Sequence, residues 1–350
     1  MNSTGAGRTD VVSVYRSECE EQPQRLLELF DAYRSDAGVR KKLTSVKNAI
    51  SRDLPVLWLG MGASYCSALV GVSQLTRLGR SSFAREASEW LHYEVSTRNQ
   101  VAGPILVTTS GESAELVEIC RILEVREPIL LCNNWDSPCW SASRIRLPIF
   151  AGLERANATK TYTNSAAAAV ILGSELAGAS WQAECNQVVD AFGKSLNHVF
   201  EQRHALDEFC RGATNIEIIG RGPTLAGALM GALCVREMTG VRVFAHSGGG
   251  FRHGPLLDVS PRHVAIILAL GRTANLGMRL VEDCLSRGGK VVLVTAGGDT
   301  RRSERIFPIR VQQAPEPWEG LTSVIVPQAL TLALAERLGS NYLRVQTTSE

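Results

Sequence analysis

Short uninterrupted apolar runs alternate along the chain with segments whose apolar residues recur every three or four positions. In the first half the runs are PVLWLG (55–60), PILVTTS (104–110), PILLC (128–132) and RLPIF (146–150). In the second they are NIEIIG (215–220), HVAIILAL (263–270), KVVLVTA (290–296) and FPIRV (307–311). Between them lie helix-patterned segments such as 64–79 and 113–125. Continuous rather than alternating apolar strands, separated by helices, predict α/β architecture with parallel sheets covered on both faces. Residues 12–50 read as helices preceding the first sheet, with Pro23 near the start of one. Residues 182–211 read as a linking helix. The expected organisation is a helical segment over 1–50, a first α/β domain over 51–190 and a second over 191–350.

The two halves repeat at an offset of 160 residues. Gly60, Gly62, Ala68, Leu69 and Gly71 align with Gly220, Gly222, Ala228, Leu229 and Gly231. At the same offset Gly111, Ala114 and Leu116 align with Gly271, Ala274 and Leu276, and Ser113 meets Thr273. The runs 56–59 and 216–219, and 105–107 and 265–267, fall into step. Two matched blocks at one offset predict a duplicated fold.

Composition narrows the class. A chain of 350 residues, 45% apolar and 21% charged, has the balance of a soluble globular protein. A net charge of +2 gives no electrostatic case for nucleic acid or an anionic membrane surface. The nine cysteines are scattered, without metal-ligand spacing, and read as reduced, buried residues of a cytoplasmic protein. No metal or cofactor is expected. The N-terminus lacks the apolar core of a signal peptide, and the longest soft apolar run, 166–177, is too short to span a bilayer.

In open parallel sheets, ligands bind beyond the carboxyl ends of the strands. Two loops there are rich in hydroxyls: 60–64, with Ser64, and 108–113, with Thr108, Thr109, Ser110 and Ser113. Hydroxyls and free N–H groups at helix starts suit a phosphate. The same residue types also serve as plain helix caps. Neither loop has a nucleotide-binding fingerprint. A third loop, 156–163, contains Ala158 and Lys160; the lysine either approaches the phosphate or is simply solvated. Glu237, between apolar neighbours late in the helix after Gly222, is a candidate base whose pKa partial burial would raise. Its plain reading is an ion pair with Arg236 or Arg242. The matching place in the first half is Arg77. His253 lies in a Gly-rich loop rather than in a periodic apolar stripe.

These residues carry a family resemblance. Glu21-Gln22-Pro23, GMGASY, ASEWLHYE, TTSGESAE, NNWDSP, ATKTYT, GRGPTLAGALMGAL and GGGFRHGPL stand in the order of the double-SIS (sugar isomerase) family. The chain resembles the isomerase half of glucosamine-6-phosphate synthase and stand-alone amino-sugar-phosphate deaminases, isomerases and deglycases. The resemblance implies two tandem αβα sandwich SIS domains, each with a central parallel sheet. It implies that Ser64, Thr108, Ser110 and Ser113, with Thr109 and the Ala158–Lys160 loop, hold a sugar phosphate. It makes Glu237 the base between C1 and C2. It makes His253 the ring-opening group, acting in the neighbouring subunit's site, so a homodimer is implied.

Departures from the family's pattern bear on the activity. Residue 2 is Asn, not a nucleophilic Cys, and the N-terminal region is too short for a glutaminase, so synthase activity is not expected. Cys234 stands in place of a lysine, Gly250 in place of a glutamate, and Arg344 falls closest to the tail lysine. The expected activity is aldose–ketose isomerisation of an amino-sugar or ketosamine 6-phosphate with loss of an amine, either as a deaminase or as a fructosamine-6-phosphate deglycase. The rival is a non-catalytic sugar-phosphate-binding regulator.

Overall fold

The computed structural model describes residues 10–123, 128–298 and 302–340. Three helices open the chain: α1 (Val11–Glu20), α2 (Gln22–Ser35) and α3 (Ala37–Ala49). Asp10 and Asp36 cap α1 and α3 through their carboxylates, and Pro23 stands in the first turn of α2.

The first sheet is built from β1 (Val56–Gly60), α4 (Ala63–Arg77), β2 (Ser82–Glu86), α5 (Ala87–Glu89), β3 (Ala102–Thr108), α6 (Ala114–Ile122), β4 (Ile129–Cys132), α7 (Pro138–Ala142) and β5 (Ile145–Pro148). Then come α8 (Lys160–Ala177), α9 (Cys185–Glu201) and α10 (Arg203–Cys210). The second sheet follows with β6 (Asn215–Gly220), α11 (Pro223–Thr239), β7 (Val243–Ser247), α12 (Gly248–Arg252), β8 (His263–Ala269), α13 (Ala274–Ser286), β9 (Lys290–Thr295) and β10 (Ile306–Arg310). The last described helices are α14 (Glu319–Thr322) and α15 (Ile325–Leu338).

Both sheets are parallel and five-stranded. Their orders, β2-β1-β3-β4-β5 and β7-β6-β8-β9-β10, are the same path through the chain. The duplication expected from the sequence is therefore present in the topology. Its register departs by one residue from the uniform offset: Leu59 pairs with Leu106 and Ile219 with Ile267, so β3 and β8 superpose at 161 rather than 160. The apolar runs predicted eight of the ten strands. Missing were β2 and β7, each at one edge of its sheet, which carry polar residues among apolar ones (SFARE, VFAHS). They are more exposed than β5 and β10 at the opposite edges, so they leave no continuous apolar run.

Helices α8 and α15 are apolar nearly all round and buried, as core helices are. The stretch Glu319–Leu338 is long and apolar enough to cross a bilayer, yet 83% of its most apolar window is buried inside the fold. Gly71 and Gly231, paired by the repeat, let these helices close on α4 and α11. A Cβ on Gly71 would lie 3.0 Å from Ala169 of α8, and one on Gly231 2.4 Å from Pro327 of α15. The linking segment is two helices, and residue 190 falls inside α9, which packs on both α2 and α15. Gln22 hydrogen-bonds to Thr163 of α8 and to Gln328 of α15 (3.0 Å). The N-terminal helices thereby stitch the two halves together.

Candidate active site

At the carboxyl ends of β1 and β3 the chain turns sharply into α4 and α6. Gly60 has no room for a side chain, because a Cβ would lie 2.7 Å from the Ser64 carbonyl carbon. Gly111 has φ 67°, and a Cβ there would overlap the Ser137 hydroxyl at 2.1 Å. These turns place Ser64, Thr108, Thr109, Ser110 and Ser113 on one cavity of about 1020 Å³.

The hydroxyls divide into two groups. Thr108 is buried and its Oγ1 accepts a hydrogen bond from the Gly111 N–H (3.0 Å); Ser110 Oγ accepts one from Glu112 (3.2 Å). These two brace the loop. Ser113 occupies the N-cap of α6 but makes no side-chain cap bond. The plain capping role therefore does not account for Ser113. Gly62, not Ser64, is the N-cap of α4, and it too leaves the first turn uncapped by a side chain. Ser64, Thr109, Ser113 and the helix-start amides thus remain for an anionic ligand.

Glu237 enters the same cavity from the second half. Leu233 and Glu237, one turn apart on α11, both line it, and Leu233 stands 3.8 Å from where a Gly62 side chain would begin. Among the described residues Glu237 has no hydrogen bond or ion pair, so pairing with Arg236 or Arg242 is not made. Burial raises its carboxyl above the ordinary carboxylate range, the direction expected from the sequence. Arg77, at the matching position of α4, instead donates to Gln74 (3.0 Å).

Ala158 also lines the cavity, held by α11: Cys234 Sγ–H donates to its carbonyl (3.6 Å) and Asn157 donates to the Cys234 carbonyl (3.1 Å). Cys234 is thus a buried tie between loop and helix and does not itself line the cavity. Glu154 braces the same loop, accepting from the backbone N–H groups of Thr159 (2.9 Å) and Thr161 (3.2 Å).

Two residues expected at the site are not brought to it within one chain. Lys160 is buried and its ammonium binds Glu21 (2.7 Å) instead of facing the cavity. Its position in the first turn of α8 points the side chain back at α2, which the sequence spacing alone did not show. His253 is exposed at the C-terminal end of α12 and does not line the cavity that contains Glu237 of the same chain. Arg344 and the tail from 341 lie outside the described residues.

The structure adds residues that the sequence reading did not single out. Arg25 of α2 lies against Gly152, and Trp135 meets Phe150 edge-on with ring centroids 6.0 Å apart. Phe150 is the non-glycine residue with a left-handed backbone (φ 51°) among the described residues. Trp135 lies within NNWDSP, to which the sequence reading gave no role, and no local signal marks Arg25 or Phe150, because distant elements gather them.

The second half is closed at the matching place. Its equivalent turn at Gly271 is covered by Glu319, whose carboxylate would lie 2.2 Å from a Cβ on that glycine. A buried carboxylate there leaves no place for a phosphate. Among the described residues no group of three His, Cys, Asp or Glu side chains converges as a metal site.

This arrangement defines an α/β protein with one polar cleft at the carboxyl edge of its first sheet, completed by a carboxylate from its second half. Residues 211–336 match the SIS domain family. The other half has the same strand order, so the fold is two tandem α/β units of one topology. It is 28% identical over 320 residues to the isomerizing glutamine–fructose-6-phosphate aminotransferase of Pyrococcus horikoshii, covering 87% of this chain and 52% of that one. The chain spans about half the length of the curated relatives it matches. It superposes on the C-terminal domain of the glucosamine-fructose-6-phosphate aminotransferase of Francisella tularensis with a TM-score of 0.83 at 18% identity, covering 97% and 99% of the two chains. Glucosamine-6-phosphate deaminase from Thermotoga maritima gives a TM-score of 0.71 at 19% identity, with 93% and 95% covered.

Proposed function

We propose that this protein is a sugar-phosphate aldose–ketose isomerase acting on an amino-sugar or ketosamine 6-phosphate, with release of ammonia or another amine. The observation that carries the reading is Glu237: an unpaired carboxylate, raised by burial, facing the cavity that holds the free hydroxyls of Ser64, Thr109 and Ser113. The hydroxyls and helix-start amides would bind the phosphate, leaving C1 and C2 for Glu237. From a 2-amino aldose, Glu237 takes the C2 proton and returns it to C1. The nitrogen is then an imine at C2, which water hydrolyses to a ketone and free amine. A ketosamine runs the mirror course, with the proton moved from C1 to C2 and the amine lost from C1. A positioned acid–base group of this kind contributes about 10²- to 10⁴-fold.

His253 does not line its own chain's cavity, which supports a homodimer in which it opens the sugar ring in the neighbouring site. A second reading, a sugar-phosphate-binding regulator, draws on Cys234, which is buried where the family resemblance places a lysine. Incubation with glucosamine 6-phosphate and with fructosamine 6-phosphates in deuterated water separates the two. Deuterium at the carbon that exchanges, with amine release, marks the enzyme. Thermal stabilisation without exchange marks the binder.

A further inference from the structure

On the side of the second sheet covered by α12 and α13, three titratable side chains meet in the interior. Glu217 of β6 is 5% exposed, His263 of β8 is 1% exposed, and His246 of β7 is partly buried. Glu217 Oε2 stands 3.6 Å from His263 Nε2, and its Oε1 stands 3.9 Å from His246 Nε2. Both distances exceed a hydrogen bond. Glu217 Oε2 and both ring nitrogens of His263 are buried without a partner. The two histidines approach different oxygens, and the three groups do not converge as a metal site.

The fold does not require this cluster, because the duplicated first half lacks it. There Leu57, fully buried, takes the place of Glu217, and Val101 takes that of His263. Trp90 fills the space that Phe251 fills in the second half. An apolar strand position was thus replaced by a buried carboxylate, at a cost in desolvation.

What lies over the cluster is the segment that carries His253. The Phe251 ring, fully buried, stands 6.0 Å from that of His246 and 6.3 Å from that of His263. His246 is followed directly by Ser247, whose hydroxyl caps α12 at Gly250 (3.0 Å). The His253 N–H in turn donates to the Gly250 carbonyl (3.0 Å). Other charged and titratable groups around the cluster are Asp258, in the turn after α12, and Cys284 of α13. Arg252 of α12 is paired to Asp283 of α13, and Arg221 lies against Gly248.

We propose that Glu217, His246 and His263 are positioning residues that, through Phe251, set how α12 presents His253. The proposal rests on the reading that His253 acts on the substrate. Burial pushes the Glu217 carboxyl up to about 7, with Asp258 adding to it, and burial pulls both histidines down. When Glu217 loses its proton, its nearest donors are the two Nε2–H groups. These rings must close on it to hydrogen-bond distance, and the Phe251 ring neighbours both. The position of the His253 segment therefore follows the protonation of the cluster.

The test compares wild type with Glu217→Leu, the side chain of the first half, and Glu217→Gln. Hydrogen–deuterium exchange of peptides covering 248–253 is measured at about pH 6 and about pH 8 and corrected for intrinsic rates. Wild-type protection should differ between the two pH values, and both variants should remove the difference. The kcat of sugar-phosphate turnover should show the same step and fall about tenfold or more in Glu217→Leu, since displaced catalytic groups cost up to about 100-fold. KM should move less than about twofold, because no cluster residue lines the cavity. If the variants keep the wild-type exchange difference and pH profile, the proposal is overturned. If wild type turns over no sugar phosphate at all, the functional reading fails, and the exchange comparison still decides the coupling. If Glu217→Leu fails to fold, Glu217→Gln decides it.

Discussion

Glu237 and Arg77 occupy the same place in two duplicated helices, but Arg77 is tied to Gln74 while Glu237 faces the cavity without a partner. The duplication thus supplies its own control. Where the halves agree, as at Gly71 and Gly231, the residues serve packing. Where they differ, as at Glu237 or Glu217, the fold alone does not explain the residue.

The division of the cavity hydroxyls gives opposite outcomes for two conservative changes. Ser113→Ala removes a hydroxyl that makes no cap bond, so it should weaken glucosamine 6-phosphate binding about tenfold or more, with Tm unchanged. Thr108→Ala removes the acceptor that braces Gly111 and should cost about 1–2 kcal/mol of stability. Calorimetric binding and thermal melts on both variants check this. Equal Tm losses would show that the hydroxyls are not divided in this way.

Lys160 separates a structural role from a ligand-binding one. Its side chain is buried and paired to Glu21, which is itself 38% exposed and able to rehydrate. Lys160→Met should therefore lower stability by roughly 1–3 kcal/mol, less than the loss of a fully buried pair. Sugar-phosphate affinity should stay within about twofold. A large loss of affinity with normal stability would return Lys160 to the binding site.

Glu217 and Glu319 make stability fall toward alkaline pH. Burial raises each carboxyl to about 7, from an ordinary value of 4.5. Between those values the native state holds a proton that the unfolded chain has released. Stability therefore falls as pH rises through this window, by roughly 3 kcal/mol per group at most. Glu217→Leu should gain on wild type progressively from about pH 4.5 to about pH 7 and hold that gain above it. Urea unfolding at several pH values reads this, and parallel curves would contradict it.

Much of this was legible in the sequence, and the gaps have physical reasons. The better buried strands, β5 and β10 at two of the edges included, announce themselves as apolar runs, whereas the more exposed edge strands β2 and β7 do not. The repeat exposed Glu237 by pairing it with an arginine. It did not show where Lys160 points, because that depends on α2 packing across the start of α8. The wall made by Arg25, Trp135 and Phe150 is gathered from three separate parts of the chain, so only Trp135, within NNWDSP, stood in a motif and none had a readable role. The Glu217 cluster was likewise hidden, since one carboxylate in NIEIIG looks like an ordinary interruption of a strand.

The most direct measurement is proton exchange at the substrate. Wild type and Glu237→Gln are each incubated with glucosamine 6-phosphate and a panel of fructosamine 6-phosphates in deuterated water and followed by NMR. Wild type should place deuterium on C1 or C2 of at least one substrate and release its amine. Glu237→Gln should bind that substrate yet slow exchange by about 10²- to 10⁴-fold. Full exchange by Glu237→Gln would contradict the account.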